Sequence, residues 1–407
     1  MAEKEYRLSE GYSIADIENI YHKTVLNQDF YGATYGANWS LQPYIEMAQL
    51  LKTIFSPKRH LDIGCGEGLL VQAMRALGMD SWGIDFSKAL IARAQSEIRP
   101  YLTVASAENW IERSSLAAVD CITYMEVFEH LPISILKNLL KEIRTHMAGR
   151  VFLTIPSYGV DEVFGRGIIV NNGTPQWKVD MELNRPFCNI VLENDLPHLG
   201  HITLASYRWW TEFFLTQGYI RDYDLERQCS KLFKDILERH RWNPYILISS
   251  GSCPPNLIEK NGGLLHGWYE FESIGDEGGR WTNGYAQSIW FGEIPLSIHL
   301  RYTLPSINVI RDLPVLVVLE RLVEHPEMQF AWQLAANPTL LNNIEREKPI
   351  SSDFRLNPSV NHSDKYIEHN IWRISLLSPS WKPVDYSLST DRRKLSIFVN
   401  KVLVNGE

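Results

Sequence analysis

Two carboxylates frame a short run of glycines in RHLDIGCGEGLLVQAMRALGMDSWGIDFS, and the spacing suits the holding of a nucleoside. The run Asp62-Ile63-Gly64-Cys65-Gly66-Glu67-Gly68 follows an apolar stretch and precedes a helix-like one. Glycine lets a backbone turn sharply and approach a ligand, because no Cβ stands in the way. Asp85 closes the next apolar stretch, near the ~20-residue spacing at which a carboxylate accepts hydrogen bonds from ribose hydroxyls. The glycines are spaced G-x-G-x-G, not G-x-G-x-x-G, and an acid heads the run. A carboxylate there repels a pyrophosphate and suits an ammonium group. The pattern therefore points away from NAD and towards an adenosine ligand with a cationic end.

A second group of chemically capable residues follows in Met125-Glu126-Val127-Phe128-Glu129-His130-Leu131-Pro132. Read as a helix, this run puts Glu126, Glu129 and His130 at i, i+3 and i+4, on one face. A hydroxyl that attacks an electrophile gains ~10²–10⁴ in rate from removal of its proton. His130, or a histidine of the downstream stretch HLGHITLASYRWWTEFF (His198 or His201), is a candidate base. The same run also reads as the plain start of a helix, with a structural role only.

These residues need strand ends to hold them. Strands are expected at His60–Cys65, Ser81–Phe86, Leu102–Ala105, Cys121–Met125 and Val151–Ile155, with helices near Leu69–Leu77, Ser87–Glu97 and Ser134–Met147. Alternation of continuous apolar strands with helices predicts a parallel sheet covered on both faces. A helix near Tyr207–Gln217 follows, then an antiparallel pair near Tyr219–Tyr223 and Tyr245–Ser249. Residues 157–205 show no clear period, and such segments serve as lids or binding loops. They are read as a cap over the acceptor. The stretch Ser249–Asn256 is rich in Ser, Gly and Pro and reads as a linker between residues 1–250 and 251–407. Beyond it the pattern alternates with period two: Leu296, Ile298, Leu300 and Tyr302 share one face, as do Met328, Phe330, Trp332 and Leu334. The fold class is thus α/β plus all-β, the second part being a β-sandwich.

With these residues in order, residues 30–250 resemble the class I S-adenosylmethionine-dependent methyltransferases. The resemblance implies a seven-stranded Rossmann-like domain and S-adenosyl-L-methionine as cofactor. It places Asp62, Gly64, Cys65 and Gly66 along the methionine end, Asp85 on the ribose and Phe86 on the adenine. It sets Ala107 and Glu108 at the third strand end, by the adenine, and the Met125 backbone near the cofactor. Tyr31 and Tyr35 of FYGATYG are read either as a cover for the cofactor or as ordinary packing. The E-x-x-E-H run resembles the metal-binding motif of ubiquinone-pathway and small-RNA O-methyltransferases. That implies Glu126, Glu129, His130 and His201 as ligands of a divalent metal (Mg, Mn, Fe or Zn), which would hold the oxygens of a vicinal diol.

Residues 264–407 resemble a jelly-roll-like β-sandwich appended to bacterial glycosyltransferases and methyltransferases of surface-polysaccharide pathways. Gly267-Trp268, Gly279-Arg280-Trp281-Thr282 and Asp391-Arg392-Arg393 carry that likeness. It implies glycan binding, or docking to a glycosyltransferase partner. In the competing reading Trp268, Trp281 and Trp290 fill the core while Arg280 and Asp391 pair.

Composition trims the partners. With 40 basic and 48 acidic side chains in 407 residues the net charge is -8, and no Lys/Arg-rich run occurs, so no nucleic acid is expected as partner. Five cysteines without a CxxC pair read as a reduced, cytoplasmic protein. No signal peptide and no membrane span are read. Oligomeric state leaves no trace in the sequence. The expected function is methyl transfer from S-adenosylmethionine to a hydroxyl acceptor, a small molecule or glycan, as a sugar in a glycan or nucleotide-sugar. Alternatives are O- or N-methylation of a small secondary metabolite, and a cofactor-binding scaffold in a polysaccharide assembly complex.

Overall fold

In the computed structural model the described residues are 13–22, 39–107, 119–146, 149–170, 175–188, 190–191, 196–197, 200–249, 262–274, 277–295, 297–303, 314–326, 328–341, 350–355, 367–380, 391, 393, 395 and 398–404. Tyr31, Tyr35, Glu108, His198 and Arg392 lie outside them. The chain divides into two compact units, one of Met1–Gln217 with Arg221–Ile248, the other of Ser249–Glu407 with Gly218–Ile220. No helix among the described residues is long and apolar enough to cross a membrane.

In the first unit the helices are α1 (Ile14–Ile20), α2 (Gln42–Phe55), α3 (Leu69–Ala76), α4 (Lys88–Arg93), α5 (Ile133–His146), α6 (Pro175–Glu182), α7 (Tyr207–Thr216) and α8 (Tyr223–His240). The strands are β1 (Arg59–Ile63), β2 (Asp80–Asp85), β3 (Leu102–Val104), β4 (Cys121–Met125), β5 (Arg150–Thr154), β6 (Tyr219–Arg221) and β7 (Pro244–Ser249). They form one sheet in the order β6-β7-β5-β4-β1-β2-β3. Pairing is parallel from β5 through β4, β1 and β2 to β3, and β7 runs antiparallel to β5. β1, β4 and β5 are buried at nearly every position, as strands covered on both faces must be. Met47, Leu50 and Leu51 of α2 and Leu70 and Met74 of α3 pack with Phe152 and Ile246 of the sheet.

Strand order reverses direction at β1, which lies between β2 and β4. In open α/β sheets the crevice for a ligand lies at such a switch point, beyond the carboxyl ends of the strands. Both chemically capable runs begin there.

The expected elements recur with small shifts, and three differences have physical causes. β1 stops at Ile63 because Gly64 turns left-handed (φ +77°). α4 ends at Arg93, short of Glu97, because Ala94 is extended (φ -56°, ψ 147°). α8 fills a stretch where no helix was expected. Its buried residues are Tyr223, Glu226, Cys229 and Leu237, so a carboxylate interrupts the apolar stripe.

In the second unit β8 (Gly262–Leu264), β9 (Trp268–Ile274), β10 (Glu277–Thr282), β11 (Tyr285–Phe291), β12 (Ser297–Thr303), β13 (Val315–His325), β14 (Gln329–Leu334), β15 (Thr339–Leu341), β16 (Ile350–Arg355), β17 (Ile367–Leu377) and β18 (Phe398–Val404) make two sheets. One has the order β8-β11-β17-β13-β14, with β15 also on β13; the other has β9-β10-β18-β12-β16. The pairings among the described strands are antiparallel, and the two sheets share one core. Ile298, Leu300 and Tyr302 of β12 enter it with Trp268, Trp290 and Trp372. On β14, Phe330 is buried but Leu334 is 53% exposed, as befits an edge strand. Trp281 is only half-buried and packs on Phe398, with ring centres 5.3 Å apart. Arg280 is buried and donates to Tyr269 O at 3.0 Å, while Asp391 pairs with Arg393 at 2.7 Å.

Candidate functional site

The glycine loop leaves β1 at the switch point with its backbone held in left-handed geometry. A Cβ on Gly64 would lie 2.5 Å from Val127 Cγ2, and one on Gly66 would lie 2.8 Å from the ring of Trp39. The loop is therefore pressed between the segment after β4 and an aromatic ring, and no side chain fits in its path. Trp39 is a contact that the sequence reading missed; its only signal is an aromatic just before α2.

Asp62 and Asp85 are both buried. Thr123 Oγ1 donates to Asp62 Oδ1 at 2.6 Å. Asp85 accepts the Gly66 N–H on Oδ2 and the Ser87 N–H on Oδ1, each at 2.8 Å. Asp85 thus braces the glycine loop and the start of α4 together, a role that spacing alone did not reveal. Burial pushes Asp62 up to about 7; the Thr123 hydrogen bond opposes this and neighbouring Asp85 adds to it. Cys65 is buried against Gly83, and burial followed by Asp85 pushes its thiol well up, so it packs rather than reacts. Phe86, Ala107 and Met125 are half-buried at the ends of β2, β3 and β4. Tyr44 of α2 also belongs here. Its hydroxyl is pushed up to about 12, first by burial and then by Asp62, Glu126 and Glu67.

The E-x-x-E-H run is not α-helical. Glu126 takes a left-handed backbone (φ +55°) directly after β4, and Phe128–His130 form a single 3-10 turn. Glu126 therefore does not share a helical face with Glu129 and His130. Strand order has already brought the run to the switch point, and a tight turn suffices to aim it inward. Glu129 is fully buried, and its carbonyl accepts the N–H groups of Ile202 and Thr203 at 2.8 and 2.9 Å. Thr203 Oγ1 donates to Leu131 O at 2.8 Å. These bonds fasten residues 200–203 to the turn and bring His201 beside His130, with ring centres 4.9 Å apart.

The electrostatics of this corner are unusual. Glu129, His130 and His201 each offer a ligand atom, and these atoms lie within 4.8 Å of one another. Glu126 Oε1 and both carboxylate oxygens of Glu129 are buried with no hydrogen-bond partner among the described residues. Burial pushes Glu126 up to about 7, and burial followed by Glu126 pushes Glu129 well up. His130 Nδ1 lies 3.1 Å from Gly200 O. A carbonyl only accepts, so Nδ1 carries the proton and Nε2 keeps its lone pair, 3.7 Å from Glu129 Oε1. Burial pushes His130 down to about 4, so it is neutral. An imidazole oriented by Nδ1–H···O=C is the usual arrangement of a metal ligand.

Above this corner, residues 157–205 carry their own small core. Tyr158, Phe187 and Leu204 pack with Ile168, Val170, Trp177 and Met181. Ser157–Tyr158 pairs in parallel with Ala205–Ser206, so the segment leaves and rejoins the domain at one place. It is anchored by Arg221 of β6, whose Nη1 donates to Asp161 Oδ2 and whose Nη2 donates to Glu226 Oε2, each at 2.7 Å.

Comparison with known proteins agrees with this geometry. Residues 44–212 match the model of a family described as a methyltransferase domain. An 85-residue stretch is 38% identical to a ubiquinone biosynthesis O-methyltransferase of Methylococcus capsulatus, covering 20% of this chain and 35% of that protein. A 110-residue stretch is 33% identical to the mitochondrial ubiquinone biosynthesis O-methyltransferase of Schizosaccharomyces pombe, covering 25% of this chain and 39% of that one. The chain thus spans little more than a third of the length of these curated relatives. A S-adenosylmethionine-dependent methyltransferase from Archaeoglobus fulgidus superposes with a TM-score of 0.34 at 13% identity, covering 55% of this chain and 98% of that one. Residues 44–212 thus carry the sequence pattern of a methyltransferase domain.

Proposed function

We propose that the chain transfers a methyl group from S-adenosylmethionine to a hydroxyl oxygen, and that Glu129, His130 and His201, whose ligand atoms cluster, hold a divalent metal where that oxygen binds, with Glu126 as a second carboxylate next to Glu129. One observation carries this reading: among the described residues, Oε1 of Glu126 and both carboxylate oxygens of Glu129 are buried with no hydrogen-bond partner, and Glu129 Oε1 lies 3.7 Å from Nε2 of His130, whose ring is held by Gly200 O. Leaving one such acceptor unsatisfied costs ~1–3 kcal/mol, and more for a charged group. A cation offsets that cost, and two carboxylates with two imidazoles suit Mg, Mn, Fe or Zn. When bound, the metal would act as a Lewis acid that lowers the pKa of an acceptor hydroxyl.

The remaining work falls to the chain itself. Asp62 takes the ammonium of the cofactor, Asp85 the ribose hydroxyls, and Phe86 and Ala107 flank the adenine. The glycine loop lets the sulfonium come close to the acceptor. The carbon–sulfur bond breaks as the carbon–oxygen bond forms, and orientation supplies much of the rate. The segment 157–205 covers the acceptor and keeps water out. A metal-free reading has its own support. Glu126, pushed up to about 7, is better matched to taking a hydroxyl proton than His130, which is pushed down to about 4.

For the acceptor we favour a sugar hydroxyl in a glycan or nucleotide-sugar. The support is the likeness of residues 264–407 to domains of surface-polysaccharide enzymes, with the two sheets read as a jelly-roll-like β-sandwich. Trp268 and Trp290 are core residues, so among the described residues the exposed Phe271 and Tyr285 and the half-buried Tyr269, Trp281 and Trp332 are aromatics able to meet a sugar ring. The test is formation of S-adenosylhomocysteine with a panel of vicinal-diol sugars, nucleotide-sugars and catechols, with and without chelator. Metal-dependent turnover of a diol, lost in Glu129→Gln, is expected. Turnover that neither chelator nor Glu129→Gln alters would overturn the metal reading.

A further inference from the structure

His60 occupies a strand position that an aliphatic side chain would normally fill. It lies on β1 two residues before Asp62, on the same face, and is fully buried. Burying an imidazole is costly unless both nitrogens are hydrogen-bonded. Here both are. Nδ1 lies 2.8 Å from Ser81 Oγ on β2, and Nε2 lies 2.9 Å from Thr123 Oγ1 on β4. Thr123 Oγ1 in turn donates to Asp62 Oδ1 at 2.6 Å.

The directions follow from counting protons. A hydroxyl has one to give. Thr123 gives its proton to Asp62, so it must accept from His60. The ring therefore carries its proton on Nε2, and Nδ1 accepts from Ser81. Burial pushes His60 down to about 3, which leaves the neutral ring that this chain requires. A 2.6 Å O–H···O contact is the length of a charge-assisted bond to an ionised carboxylate. A protonated Asp62 would carry its proton on Oδ2, the oxygen that the ammonium group needs, while Oδ1 went on accepting from Thr123.

We propose that His60 is a positioning residue for the cofactor: through Thr123 it orients the ionised carboxylate of Asp62 so that the other oxygen is left for the cofactor's ammonium group. This rests on the reading of Asp62 as the ammonium acceptor. The groups that act on Asp62 or feel its charge are Asp85 on β2, Cys121 on β4, Cys65 in the glycine loop and Tyr44 on α2. None of them lies in the chain from Ser81 to Asp62, so His60 and Thr123 can be varied without removing a charge.

The test is calorimetric binding of two probes to the full chain at pH 8. S-adenosylhomocysteine carries the amino-acid end, and 5′-methylthioadenosine lacks it. His60→Val and Thr123→Val should each weaken S-adenosylhomocysteine by about tenfold or more, the scale of a hydrogen bond to a charged group. Both should bind methylthioadenosine within about twofold of the parent protein. His60→Gln, which keeps one donor and one acceptor, should recover most of the loss. Nitrogen-15 NMR of His60 in the S-adenosylhomocysteine complex should show the Nε2–H tautomer. Equal loss of both probes would mark a purely structural histidine and overturn the proposal, as would an Nδ1–H tautomer. Unchanged affinity in both valine variants, with loss in Asp62→Asn, would overturn the positioning role and leave Asp62 as the ammonium acceptor. Unchanged affinity in Asp62→Asn would overturn both.

Discussion

Two pairs of buried carboxylates stand in the same domain under opposite conditions. Asp161 and Glu226 flank Arg221, which donates to both at 2.7 Å and lies over the rings of Tyr223 and Tyr245, 4.6 and 4.8 Å from their centres. Burial works against ionisation of both acids: Arg221 holds the Asp161 carboxyl below the usual range, while Glu226 is pushed up to about 7 by burial against the pull of Arg221. Among the described residues, Glu126 and Glu129 have no guanidinium between them, and three of their oxygens meet no donor. The first pair is finished structure that fastens the 157–205 segment to the sheet. The second lacks the partner that would complete it. A buried charge is tolerated when paired and costly when not, so an uncompensated pair at a strand switch point is where a ligand is expected.

The contrast is open to breakage. The largest effect is expected from Arg221→Met, which leaves two buried carboxylates unpaired and should cost about 3–5 kcal/mol in denaturant unfolding. A loss under about 1 kcal/mol would mean that the pairing is not structural. Glu129→Gln should act with the opposite sign in chelator-treated protein. Replacing a buried carboxyl that lacks hydrogen-bond partners should raise the melting temperature by a few degrees, about 1–3 kcal/mol, while turnover falls ~10²-fold or more. A lower melting temperature would show that Glu129 is already compensated. Next in size, a saturating divalent cation should stabilise the parent protein by about 2.7 kcal/mol at a hundredfold excess over Kd, and Glu129→Gln by far less. Equal shifts would place the cation elsewhere.

A pH experiment separates the cofactor side from both pairs. Asp62 is raised in the folded protein from 3.8 to about 7. The folded state therefore binds the extra proton between these values, and stability falls as pH rises through that window. Against Asp62→Asn the parent should lose stability progressively from about pH 4 to pH 7, on the order of 4 kcal/mol at most. Parallel stability curves for the two proteins would show that Asp62 is not desolvated as described.

Much of this was readable beforehand. The strand–glycine loop–helix–strand–acid order located the left-handed loop and put Asp62 and Asp85 on neighbouring strands, because a left-handed turn demands glycine and continuous apolar runs mark the strands. The boundaries of β4 were legible because a continuous apolar run ends at a polar turn. The single-face helix expected for Glu126, Glu129 and His130 does not form, since i, i+3 spacing cannot reveal that Glu126 takes φ +55°. Trp39 and Tyr44 were missed because their importance lies in what they touch. The alternation on β14 overstated burial, because period two does not say whether a strand lies at a sheet edge.

Sequence by itself determined the elements and the donor types: which segments become strands, where glycine must turn the chain, and which side chains can accept, donate or ligate. These depend on local sterics and apolar period, which act over a few residues. Tertiary structure decided which of those side chains have partners. Thr123 reaches Asp62 from 61 positions away, Gly200 fixes the tautomer of His130 across 70, and Arg221 finds Asp161 across 60. Pairing and burial set the charge of each group, and both arise only when distant strands are brought together.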